Sequence, residues 1–238
     1  MISSLRGLAA AVRSIGPRLT HPTMYRASRD SWSQEGEDLI LARFMEPRTS
    51  GFYVDVGAHD PFRFSNTAYF YRQGWSGLNI EPDPQGARML RRYRDRDITL
   101  NIGIGSAASS MTFFRFNEPA LNTFSPELAR ARTGLNGYSI VEETAVAVDR
   151  LDAVLEKHLP AGQQIDFMTV DAEGLDLTVL QSNDWSRFRP DIVVAELLNA
   201  PSLDVADQPA VRFMSGAGYR PVAKAANSVF FAVNELSL

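Results

Sequence analysis

The chain has 238 residues, 45% of them hydrophobic and 22% charged, and a formal net charge of −4. That suits one globular domain with a substantial core and excludes wholesale disorder. It contains no cysteine, which excludes disulfides, thiolate-held zinc, iron–sulfur clusters and cysteine nucleophiles, and fits a reducing, cytoplasmic compartment.

No apolar run approaches the ~20 residues that a membrane span requires. Charge is unevenly spread. Arg6, Arg13, Arg18, Arg26 and Arg29 precede the first acidic residue, Asp30, so the rest of the chain sets 19 basic against 28 acidic residues. An acidic body is a poor partner for a nucleic-acid backbone, which leaves the basic arm as the exception. In residues 1–20, Ile2, Leu5, Leu8, Val12, Ile15 and Leu19 recur at helical steps, so an amphipathic helix is expected there. Three readings of it stand side by side: packing on the body or on a second subunit of a homo-oligomer, a peripheral membrane contact, and a transit peptide. The expected division is an arm over residues 1–30 and a folded domain over 31–238.

Ser33 is the expected N-cap of a helix carrying Leu39, Ile40, Leu41, Phe44 and Met45 on its buried side, with Glu35, Glu37 and Asp38 near its start. Strands are expected at 52–56, 77–81 and 98–102, with helices over 66–73 and 85–94. An extra strand is expected at 111–116. Residues 117–143 contain Pro119, Pro126, Gly134 and Gly137 and read as a long irregular loop, the kind that forms lids and binding loops. A strand at 145–148, a helix over 151–158, a strand at 165–170 and a helix over 175–181 follow. The chain then predicts a strand at 191–195, a helix over 211–216 and a hairpin of 220–223 with 228–233. Strands alternating with helices predict an α/β fold: a seven-stranded, mostly parallel Rossmann-like sheet, helices on both faces, and a C-terminal antiparallel hairpin.

Ligands of open α/β sheets bind at the carboxyl ends of the strands. The successive strand ends carry Asp55-Val-Gly57-Ala-His59-Asp60, then Glu81, then Asn101-Ile102-Gly103, then Asp171-Ala-Glu173-Gly174, then Glu196. Gly57 lets a backbone approach a ligand closely. Glu81 stands 26 residues after Asp55, a spacing that fits one intervening helix, and its carboxylate suits a pair of ribose hydroxyls. Asp55 is expected to hold the amino-acid end of a cofactor through water or backbone, Ser65 and Asn66 to cap a helix while meeting it, and Asn101 and Ile102 to border the adenine. A nicotinamide dinucleotide needs G-x-G-x-x-G and a helix start free of carboxylates. Here Asp55 and Asp60 flank the turn and would repel a pyrophosphate. S-adenosylmethionine has no phosphate and carries a sulfonium cation, which acids favour.

Several strings resemble the FkbM family of methyltransferases: S-Q-E-G-E-D at 33–38, V-D-V-G-A-H-D-P at 54–61, S-N-T at 65–67, G-W-S-G-L-N-I-E-P at 74–82, D-A-E-G at 171–174 and R-P-D-I-V-V-A-E at 189–196. Many relatives have D-V-E-G where this chain has D-A-E-G. The resemblance spans Ser33 to Glu196 and leaves the arm uncovered. It implies a class I fold, S-adenosylmethionine as cofactor, and O-methylation of a small-molecule or glycan acceptor, often a sugar or polyketide hydroxyl.

A hydroxyl acceptor gains from losing its proton as it attacks, so a base is sought among Asp171, His59 and Glu196. For His59 a hydrogen bond to a loop carbonyl is the competing reading. Asp171, Glu173 and Glu196 would suit magnesium if their strands are neighbours; otherwise Glu173 bonds backbone or a basic side chain and Asp171 orients the cofactor. Gln34 and Glu37 either reach over the cofactor or cap their helix. Two other functions compete. A nucleic-acid methyltransferase is disfavoured because D-A-E-G stands where an Asn/Asp-Pro-Pro-aromatic run is expected, and a nicotinamide-dependent sugar oxidoreductase is disfavoured on the charge argument above.

Overall fold

The computed structural model describes residues 29–198 and 204–236, and the compact unit that carries the sheet begins at Trp32. The helix expected over residues 1–20 lies outside the described residues. No helix among the described residues is long and apolar enough to cross a membrane.

Ten strands are present among the described residues: β1 (Phe52–Val56), β2 (Ser76–Ile80), β3 (Ile98–Leu100), β4 (Gly103–Ile104), β5 (Ser109–Phe116), β6 (Ile140–Asp149), β7 (Phe167–Val170), β8 (Ile192–Glu196), β9 (Tyr219–Ala225) and β10 (Ser228–Val233). Seven form the main sheet in the order β3-β2-β1-β7-β8-β10-β9. Pairings from β3 to β8 are parallel, and β10 runs antiparallel to both its neighbours. This is the mostly parallel sheet with a closing hairpin that the alternation predicted. The chain winds outward from β1 to β3, then returns to the other side of β1 as β7. The switch point therefore lies between β1 and β7.

Helices α1 (Glu37–Met45), α2 (Ala68–Arg72), α3 (Pro84–Tyr93), α4 (Pro126–Arg132), α5 (Leu151–His158), α6 (Asp176–Gln181) and α7 (Pro209–Gly216) complete the fold. The central strands are buried on both faces, and side chains alternate between two cores, as the period of a strand requires. Val54, Met168, Val193 and Phe231 pack with Leu155, Leu180 and Met214 on one face. Tyr53, Phe167, Val194 and Phe230 pack with Leu41, Phe70 and Trp75 on the other. Each such apolar side chain contributes about 1.5–3 kcal/mol by leaving water.

Two expectations are corrected. Ser33 is not the cap residue of α1; Gly36 is, at φ 88. Ser33 Oγ instead accepts from Gly36 N at 3.1 Å and donates to Asp38 Oδ1 at 2.8 Å, bracing the turn before the helix. Residues 117–143 are not irregular. They hold a 3₁₀ turn at Pro119–Leu121, the helix α4, a second 3₁₀ turn at Leu135–Gly137 and the start of β6. Pro126 opens α4 rather than breaking a helix, since proline at the first position has no N–H to waste, and Ser125 caps it by accepting from Leu128 N at 3.2 Å. With β4, β5 and β6 forming a three-stranded sheet of their own, residues 103–149 make an insertion over the carboxyl edge of the main sheet.

Candidate functional site

A cleft with about 790 Å³ of empty space, part of it open to solvent, lies at that edge. Gly57, Glu81, Ile102 and Asp171 line its floor, and Phe113, Asn122, Thr123 and Phe124 of the insertion form its roof. Asp55 pairs with Asn79 and Thr169 across parallel strands, so the ends of β1, β2 and β7 share one rim.

Glu81 is 5% exposed. One of its oxygens accepts from His59 N and the other from Asp83 N, both at 2.6 Å. Burial pushes its carboxyl up to about 8 despite those donors. His59 adopts φ 53, an uncommon conformation for a residue with a Cβ. Its Nε2 is buried without a partner, and burial lowers its pKa, so the ring is neutral at pH 7. The loop-carbonyl bond of the competing reading is therefore not made by this nitrogen.

Asp171 is open to the cleft, but protein surrounds that cleft. This desolvation, with Glu196 beside it, lifts its carboxyl well above the usual range. Glu196 is pushed up to about 8, first by burial and then by Glu173 and Asp176. Carboxylate oxygens of Asp171, Glu173 and Glu196 lie within 4.8 Å of one another. Glu173, however, is held in an ion pair by Arg132 of α4, and its carbonyl accepts from Thr123 Oγ1 at 2.8 Å. A cation there would compete with the arginine, so the donor set does not fit magnesium. Of the two readings of Glu173, the bond to a basic side chain is the one the structure shows.

Three more expected contacts are corrected. Asp55 does not line the cleft. It is buried beneath it, accepting from Thr67 Oγ1 at 2.6 Å. Ser65 satisfies the first N–H of α2, as its expected capping role requires, by accepting from Ala68 N at 3.1 Å, but it is internal rather than in the cleft and also accepts from Arg94 Nη1 at 3.2 Å. Asn101 clamps the turn after β2 by donating to the carbonyls of Glu81 at 2.8 Å and Pro82 at 2.9 Å, while its neighbour Ile102 does line the cleft. Asn66 donates to Thr169 Oγ1 at 2.9 Å and borders a second cavity beside the cleft. Gln34 lines both cavities, and Glu37 lines only the second.

Some functional residues carried no warning in the sequence. Asp176 fixes the D-A-E-G turn by accepting from Ala172 N at 2.8 Å and Gly174 N at 3.2 Å. Arg115 and Asn122 fasten the insertion to Asp83, each at 3.2 Å. Only the proline and glycine spacing of the long loop hinted that this segment matters.

The family model for the methyltransferase FkbM domain matches residues 55–221. No curated protein matches the chain. Among solved structures, the chain is similar to an O-methyltransferase from Bacillus cereus in complex with SAH, at 13% identity and a TM-score of 0.45, with 98% of this chain and 99% of that one covered. It is similar to a TehB-like SAM-dependent methyltransferase from Corynebacterium glutamicum at 12% identity and a TM-score of 0.43, covering 94% and 99%. It is also similar to 1,6-didemethyltoxoflavin-N1-methyltransferase from Burkholderia thailandensis at 16% identity and a TM-score of 0.41, covering 95% and 88%.

Proposed function

Because the chain belongs to the FkbM methyltransferase domain family, we propose that it is an S-adenosylmethionine-dependent O-methyltransferase acting on a hydroxyl of a sugar, glycolipid or other small metabolite. The observation that supports this most is the cleft at the β1–β7 switch point, where Gly57, Glu81 and Asp171 meet on one floor. The cleft fits the cofactor. Its floor has acids and no phosphate-binding glycine run, its roof is apolar at Phe113 and Phe124, and the buried Nε2 of His59 lacks a partner.

When bound, the cofactor supplies a methyl group on a sulfonium cation. Glu81 would hold the ribose hydroxyls with the lone pairs that His59 N and Asp83 N leave free. Ile102, Phe113 and Phe124 would cover the base and keep water from it. Gly57 leaves the floor low enough for the donor's tail. Asp171, with Glu196 beside it, would take the acceptor's hydroxyl proton onto a carboxylate oxygen. Their desolvated setting makes them stronger bases than exposed carboxylates, which suits them to general-base work near neutral pH. Gathering these groups on rigid strand ends contributes by orientation as well as by charge.

Isothermal titration with S-adenosylmethionine and with S-adenosylhomocysteine tests the donor. We expect one site per chain, and absence of heat with both would contradict the proposal. A metabolite screen with methyl-labelled cofactor, run with and without magnesium, then tests the acceptor. We expect label on oxygen and no dependence on the metal.

A further inference from the structure

Phe64 is strained and exposed at once. It adopts φ 55, the left-handed region that a residue with a Cβ disfavours, and it is 41% exposed, so core packing does not explain its presence. Glycine or asparagine usually fills such a place in a turn. The turn itself is firmly braced. Asp60 Oδ1 accepts from Phe62 N and Arg63 N, both at 2.8 Å, and Ser65 N donates to Trp32 O at 2.9 Å. Strain kept at an exposed aromatic residue points to a role for the ring. Its surroundings show which. A second cavity, with about 460 Å³ of empty space, adjoins the cofactor cleft, and Gln34, Phe64 and Asp171 line both. The Arg63 guanidinium lies over the Phe64 ring, 4.2 Å from its centre. Arg63 Nη1 donates to Glu118 Oε1 at 2.8 Å, and Glu118 caps the 3₁₀ turn at Pro119–Leu121 by accepting from Ala120 N at 3.2 Å. The ring is thus tied to the insertion, and the Arg63 charge is already met.

We propose that Phe64 is a donor-recognition residue whose ring meets the sulfonium of S-adenosylmethionine and favours this charged donor over its uncharged product, S-adenosylhomocysteine. The proposal rests on the methyltransferase reading above. Methyl transfer is an in-line displacement, so the sulfur must sit where the cleft opens toward further space. That junction is the one lined by Gln34, Phe64 and Asp171. An aromatic face attracts a cation, and more strongly where water is kept away. When the methyl leaves, the electron pair of its bond stays on sulfur, which becomes a neutral thioether. The attraction then ends, so the same ring that holds the donor releases the product. Asp171 alone is a poor discriminator, because it changes charge when it accepts a proton, whereas the ring does not titrate.

Isothermal titration of both ligands into the parent protein and into Phe64→Leu, Phe64→Tyr, Phe64→Ala and Phe64→Gly tests this, with a thermal melt of each. The parent should bind both ligands. Phe64→Leu, which is apolar but has no π face, should lose affinity for the donor by about threefold or more beyond its loss for the product. Phe64→Tyr should keep the parent's ratio. The two ringless variants separate recognition from folding. Phe64→Gly accepts φ 55 without strain and should melt about 2–4 °C above Phe64→Ala, yet both should show the same fall in the donor-to-product ratio. Equal losses for donor and product in Phe64→Leu would overturn the proposal and spare the donor assignment. A ratio that followed the melting temperature instead of the ring would overturn it too. A parent that bound neither ligand would remove the methyltransferase reading, and this inference with it.

Discussion

Gly57 and Asp171 touch across the switch point: a Cβ on the glycine would lie 1.8 Å from the aspartate's carbonyl oxygen. Gly57 also adopts φ +84, so an alanine there is strained by its own backbone and by its neighbour's. Neither can yield easily, because Gly57 N donates to Ile80 O and Asp171 N donates to Val56 O, both at 2.9 Å. Gly57→Ala should therefore cost about 1–3 kcal/mol of stability, the range for a residue forced into such a conformation. It should also abolish measurable binding of S-adenosylhomocysteine, because the floor of the cleft must shift. Calorimetry together with a thermal melt checks both effects.

Arg94 makes the second prediction. It is wholly buried, with Nε on Asp97 Oδ2 at 2.8 Å and Nη2 on Tyr53 OH at 2.7 Å and Thr67 Oγ1 at 2.9 Å. Thr67 in turn holds Asp55, and the Arg94 charge opposes the upward push of burial on that carboxyl. Arg94→Met would fill most of the space and leave Asp97 and Asp55 as buried acids without a cation. Breaking a buried pair in this way costs about 3–5 kcal/mol. Urea denaturation should show a loss of that order, and Arg94→Lys should recover only part of it because an ammonium cannot reach Asp97, Ser65, Tyr53, Thr67 and Asn79 together.

That network also marks where the sequence stops being readable. The strands and helices were legible because apolar runs such as Phe52–Val56 and Ile192–Ala195 alternate with helical segments, and the strand-end acids followed from their order. Arg94, by contrast, stands in R-R-Y-R-D-R-D, which reads as a solvated charge run. Only the fold turns one of its arginines inward. Asp55 misled for a related reason. An acid at the end of a strand can face the ligand or lie beneath it, and no pattern in the chain tells which. The roof was hidden because Pro126 and the glycines read as breakers, whereas proline at a helix start and Gly134 at φ 87 are what the insertion uses to fold.

The ion pair of Arg132 with Glu173 joins the insertion to the D-A-E-G turn, and Arg132 Nη1 also donates to Leu121 O at 3.0 Å. Both side chains are partly exposed, at 17% and 21%, so the pair itself contributes only about 1 kcal/mol to stability. Its larger effect should be on the roof. Arg132→Ala should leave the melting temperature within a few degrees of the parent. It should raise the dissociation constant of S-adenosylhomocysteine several-fold and speed proteolysis within residues 117–139. Limited digestion with and without the ligand reads this directly, and protection that is unchanged from the parent would show that the roof does not depend on the pair.

Stability and activity should respond to pH in opposite directions. Burial lifts Glu81 and Glu196 to about 8, and Asp55 and Asp176 to about 6. The folded protein thus keeps protons that the unfolded chain releases near the ordinary carboxylate values. Wherever the folded state binds more protons, stability falls as pH rises. The contribution is complete below the unfolded values and is lost as pH climbs through about 8. Denaturation of the ligand-free protein should therefore show lower stability at pH 8.5 than at pH 5.5 in this window, and Glu196→Gln should flatten the slope, since an amide does not titrate. Methyl transfer runs the other way. A protonated Asp171 or Glu196 cannot accept a hydroxyl proton, so kcat should rise across the interval in which stability declines. Rate profiles and denaturation curves collected in the same buffers would expose the opposition, and a kcat that fell in parallel with stability would remove these two carboxyl groups from proton transfer.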